Sequence, residues 1–146
     1  MNADDNENVA KQTFALCWDL LGHTLSDDEK RDLVGYALAS RFHWRQVGSA
    51  QQLAIADWMA SRAYAAVEQS ALSIEYALAS LKYGGEGFPG WLKASLNEGV
   101  ARAYASAGDH QMRDKYVGLA LTELEKESDK EDEGLIRSQI EELLDD

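Results

Sequence analysis

Cysteine and proline each occur once in this chain, and no stretch of it stays apolar for long. The lone Cys17 cannot form an internal disulfide, which fits a reducing compartment and sets the expectation of a cytoplasmic location. With one proline and no β-branched runs, helix is the expected state nearly everywhere. Nowhere do about 18 apolar residues run together, so no segment is expected to span a bilayer. Met1 to Asn8 is acidic and lacks an apolar core, so it does not read as a signal peptide. Positive charge is also short: 14 Lys plus Arg stand against 26 acids, a net charge of -12. That balance repels phosphates and anionic lipid heads, so neither nucleic acid nor membrane is expected as a partner. His23, His43 and His110 are scattered, with no His-x-x-x-His and no Glu-x-x-His, so no metal or other cofactor is expected.

What the chain does have is a period. Tyr36-Ala37-Leu38-Ala39-Ser40 returns unchanged as Tyr76-Ala77-Leu78-Ala79-Ser80, and a looser copy starts at Tyr116. Each copy begins 40 residues after the last. Arg62-Ala63-Tyr64-Ala65 and Arg102-Ala103-Tyr104-Ala105 keep the interval, as do Trp18 and Trp58. A fixed period of this size marks stacked supersecondary units. The 146 residues suit one domain, 1–146, able to bury about two thirds of its unfolded surface.

The pattern predicts seven helices. The first runs from about Asn8 to Leu21 and stops at Gly22. Ser26-Asp27-Asp28-Glu29 is a capping box that opens the second, which ends near Trp44 or Gln46. Ser49 to Gln52 opens the third, which reaches about Val67, and the fourth ends near Tyr83. Gly84 to Gly90 reads as a loop, with Pro89 at the first turn of a fifth helix from about Trp91 to Ala107. The sixth covers about Gln111 to Glu127. Ser128 to Glu131 is a third capping box before a last helix with Leu135, Ile136, Ile140, Leu143 and Leu144 along one stripe.

Ser61, Tyr64, Ser73 and Ser80-Leu81 in one unit, and Ala101, Tyr104, Gly108, Val117 and Ala120-Leu121 in the next, resemble the tetratricopeptide (TPR) repeat. Glu68 stands where that repeat has its turn glycine. The period is 40 rather than about 34. Arg113 replaces a small residue of the second helix, Asp57 and Asn97 replace a large apolar one of the first, and Thr24 replaces the tyrosine in the first unit. The resemblance implies an all-α, TPR-like right-handed solenoid of about three helical hairpins with a C-terminal capping helix. It also implies that the first helix of each hairpin lines a concave face, with Trp18, Ile55, Trp58, Arg62, Glu98 and Arg102 at matching positions.

Two readings of those residues compete. Trp58 and Arg62 are spaced i and i+4, as are Glu98 and Arg102. In so acidic a chain, two aligned arginines beside a tryptophan can hold a carboxylate or an acidic peptide. In the plainer alternative each arginine pairs with a nearby acid and Trp58 packs in the core. Arg41 and Arg45 flank Phe42, His43 and Trp44, a patch that serves either a partner or the packing of the second helix on the third. Cys17 reads as core filler. Asp27 to Glu29 is explained by the helix dipole, and Gly84 to Gly87 is not a phosphate loop, since no strand precedes it. No nucleophile, base and orienting group come together, so an enzyme is not expected. The leading expectation is a non-enzymatic module that binds a protein or peptide. The second is a self-associating subunit of a larger assembly, joined through apolar edges near Trp44 and Trp91.

Overall fold

The computed structural model describes residues 1–84, 87–126 and 130–145. Among these residues the chain is all-α: α1 (Ala3–Leu20), α2 (Asp27–Val47), α3 (Ala50–Ala66), α4 (Ser70–Ser80), a 3-10 turn (Leu81–Tyr83), α5 (Gly90–Ser106), α6 (His110–Leu124) and α7 (Lys130–Asp145). None of these helices is long and apolar enough to cross a membrane.

Local chemistry sets the helix starts. Both expected capping boxes form: the Ser26 hydroxyl accepts the Glu29 amide at 3.2 Å while Glu29 accepts the Ser26 amide at 3.0 Å. Ser49 and Gln52 repeat the exchange. The third box, at Ser128 to Glu131, lies outside the described residues. Helix α1 begins earlier than the expected Asn8, because Asn2 caps it by accepting the Asp5 amide at 2.8 Å. Asp4 and Asp5 then sit in a first turn that favours negative charge. Pro89 is the cap residue of α5. The fourth helix stops at Ser80, short of Tyr83, and tightens into the 3-10 turn.

Consecutive helices pair as α1 with α2, α3 with α4 and α5 with α6, and the odd-numbered helices also touch in sequence, α1 to α3 to α5 to α7. Burial follows the 40-residue period. Residues 31–40 and 71–80 match in burial at every position: Leu33 and Ser73, Ala37 and Ala77, Ser40 and Ser80 are the buried ones. The third copy buries Val117 and Ala120 and leaves Leu119 exposed. Small residues let the paired helices close up. The Ser61 hydroxyl donates to the Ser73 carbonyl at 2.8 Å, and the Ser73 hydroxyl donates back to Ser61 at 2.9 Å. The tyrosines recur as stacked pairs, Tyr64 on Tyr76 at 5.5 Å and Tyr104 on Tyr116 at 5.9 Å. Tyr36 is in no stacked ring pair among the described residues and packs instead on the cluster of Cys17, Leu33, Ala37, Met59 and Ala63.

One expectation needs correction. In α7 the buried stripe is Ile136, Ile140 and Leu143, which pack on Ala94, Ala101, Val117, Ala120 and Leu124. Leu135 and Leu144 face outward, because only one line of positions at helical spacing can meet α5 and α6. Each of the three buried side chains contributes about 1.5–3 kcal/mol, enough to hold a helix with acids on its other side. Trp44 is buried against Ala10 and Ala56, and Trp91 packs on Leu92 and Leu96 and on the α7 cluster. Both indoles are thus engaged in packing between helices.

The residue at Asp57, where the TPR pattern has a large apolar side chain, is fully buried and ion-paired with Arg41 of α2. The Arg41 guanidinium lies 5.4 Å from the Tyr76 ring, so one cation ties α2 to both α3 and α4. His43 bonds Asn6 at 2.8 Å. The basic-aromatic patch is thus spent mainly on packing, with Phe42 left exposed.

Candidate functional site

The site residues lie on the face shared by α1, α3 and α5. Arg62 of α3 is its centre. Its guanidinium lies between two indoles, 5.1 Å from the Trp18 ring and 5.4 Å from the Trp58 ring. The indoles are themselves 5.9 Å apart, and Phe14 meets Trp18 edge-on at 6.3 Å. Such a sandwich fixes a planar cation and replaces part of its hydration. Nε and Nη1 of Arg62 are shut off from water and have no hydrogen-bond partner among the described residues. Nη2 is the remaining donor. Burial pulls the Arg62 pKa down first, and the neighbouring Arg102 adds to that; Glu98 and Glu142 oppose both. Guanidinium is too strong a base to lose its proton for this.

Close approach of α3 and α5 makes the sandwich. A Cβ on Gly99 would sit 2.5 Å from Cδ1 of Trp58, so only glycine lets the indole lie there. Forty residues earlier the same helical position holds Met59, which is buried in the core.

Trp18 reaches Arg62 because α1 is out of step. Ser61 meets the carbonyl of residue 73, and the matching contact in the first hairpin is Cys17 Sγ with the carbonyl of Leu33, at 3.9 Å. Leu33 and Ser73 are 40 apart, whereas Cys17 and Ser61 are 44 apart. Helix α1 has therefore slipped by one helical turn, and the α1–α2 connection is correspondingly longer than the α3–α4 and α5–α6 turns. The sequence interval between Trp18 and Trp58 is not a structural equivalence. Trp18 stands level with Arg62, not with Trp58, and remains 41% exposed. Cys17 is fully buried, and burial pushes its thiol up to about 12, out of reach of thiolate chemistry.

Arg102 sits one period on and behaves differently. Its Nε and Nη2 both donate to Oε1 of Glu98, at 3.0 and 2.6 Å, and Glu98 is fully buried. The plainer reading therefore holds for Glu98 and Arg102, and fails for Arg62, which has no carboxylate within ion-pair distance among the described residues.

Arg62 and Arg102 share a cavity of about 560 Å³ with His110 and Arg113 of the third hairpin and Glu142 of α7. Arg113 pairs with Asp114 at 2.9 Å. Sequence reasoning did not gather His110, Arg113 and Glu142. The one signal was Arg113 itself, a long cation where the repeat pattern has a small residue. A further, apolar cleft of about 170 Å³ lies between Phe14, Trp44 and Ile55, and Phe14 also meets Trp18. Among the described residues no three His, Cys, Asp or Glu side chains converge as metal ligands. Comparison with protein-family models, with curated proteins and with solved structures gives no significant match.

Proposed function

We propose that the chain is a non-enzymatic protein- or peptide-binding module of TPR-like build, with three stacked hairpins, α7 as cap and the α1–α3–α5 face as the concave binding surface. The repeated burial of residues 31–40 and 71–80 and the paired tyrosines support equivalent, stacked hairpins. Arg62 is the observation that carries the binding reading. A guanidinium held by two indoles on the wall of a cavity, with no carboxylate in ion-pair contact among the described residues, is a ready receptor for an acidic side chain that reaches it from the cavity. The apolar cleft beside Phe14 gives a neighbouring residue of the same peptide a place to bury a side chain. The partner is thus an acidic peptide segment carrying a bulky apolar residue.

The test is a titration with an acetylated, amidated tetraglutamate peptide bearing one leucine, read by tryptophan fluorescence. The indoles on Arg62 respond to binding. Arg62→Gln weakens the complex about tenfold or more, as loss of a charge-assisted bond requires. Equal binding by wild type and Arg62→Gln would remove this reading.

A further inference from the structure

The charges around the cavity explain which anion it takes. Arg102 is matched by Glu98 at 2.6 Å and Arg113 by Asp114 at 2.9 Å. Among the described residues, Arg62 lines the cavity without a contacting acid, and Glu142 from α7 also lines it. Among the described residues, three cations are thus set against three carboxylates, two in contact with their partners and one, Glu142, not in contact with Arg62. Glu142 is exposed and is held near the cavity by its neighbour Leu143, which is buried against α5 and α6. Its carboxylate acts on Arg62 at a distance and helps to keep the guanidinium charged.

We propose that Glu142 is a specificity-determining residue that sets the charge of the ligand: the cavity accepts a single carboxylate on Arg62 and gives a phosphate dianion no advantage. This rests on the reading of the α1–α3–α5 face as a receptor for acidic peptides, and it adds the rule by which anions are chosen. Attraction and repulsion both scale with ligand charge, so a site with matched charges gains nothing from a second negative charge. What remains is the directed hydrogen bond that the Arg62 guanidinium donates into the cavity it lines, which one carboxylate oxygen satisfies. Removing the Glu142 charge leaves a surplus of one cation, and the gain is then larger for the dianion.

The experiment uses the full chain and two capped tripeptides, acetyl-Gly-Glu-Gly-amide and its phosphoserine analogue, at about pH 8. Affinities are read from the Arg62 Nε–H resonance in nitrogen–proton NMR spectra. In wild type the two tripeptides bind within about twofold of each other. Glu142→Gln, an exposed change that leaves the fold intact, tightens the glutamate peptide about three- to fivefold and the phosphoserine peptide about tenfold or more. Phosphoserine binding to wild type ten times more tightly than glutamate, or a Glu142→Gln change that is absent or equal for both peptides, would overturn the role of Glu142 while leaving the acidic-peptide reading standing. No binding of either peptide to either protein would overturn both.

Discussion

Arg62 and Arg102 occupy the same place in successive hairpins, within identical Arg-Ala-Tyr-Ala stretches, yet they do different work. The difference lies four residues earlier. Position 98 is a glutamate, buried and clamped by Arg102. Position 58 is a tryptophan, which can cover Arg62 but cannot neutralise it. With tryptophan in place of glutamate, Arg62 has no contacting carboxylate among the described residues, whereas Arg102 has one. Repetition supplies the scaffold and the exceptions to it supply the site: Trp58 for glutamate, Gly99 for methionine, Arg113 for serine.

The comparison can be broken most forcefully at Arg102. Arg102→Ala leaves Glu98 buried and unpaired, a loss of about 3–5 kcal/mol in urea unfolding. Arg62→Ala removes only two stacked contacts and costs about 1–2 kcal/mol. Equal losses for the two would mean that the arginines are not distinct. Next in size is Gly99→Ala, whose Cβ would collide with the Trp58 ring. It should cost about 1–3 kcal/mol, shift the tryptophan emission and weaken peptide binding. Unchanged emission would show that the indole does not lie against Gly99. The smallest effect concerns the turns. Glu68 holds φ at 63°, where its counterpart is Gly108 at 76°. Glu68→Gly should stabilise the chain by about 0.5–1 kcal/mol, since glycine adopts this conformation without strain. A lower melting temperature in that variant would contradict the equivalence of the two turns.

Much of the fold was legible in the sequence, for local reasons. Ser26 and Ser49 mark helix starts because their hydroxyls satisfy amides three residues on, and the 40-residue interval marks positions that keep the same neighbours. Arg62, Glu98 and Arg102 could be named from that interval together with the resemblance to the TPR repeat. The slip of α1 could not. A longer connection after α1 changed which residues face each other while Trp18 and Trp58 kept an interval of 40. Nor could the cavity wall be read, because α6, which carries His110 and Arg113, and α7, which carries Glu142, come together beside Arg62 only through packing. The α7 stripe was partly misread, since Leu135 and Leu144 flank the buried line without joining it.

The most direct measurement follows the Nε–H resonances of Arg62 and Arg102 together as an acidic peptide is added to the wild-type protein. Arg62 should start at an unusual position, between two ring faces, and move steadily to saturation, while Arg102, held by Glu98, stays where it began. Movement of Arg102 with Arg62 stationary, or no movement of either, would contradict the claim that the unmatched cation is where this protein meets its partner.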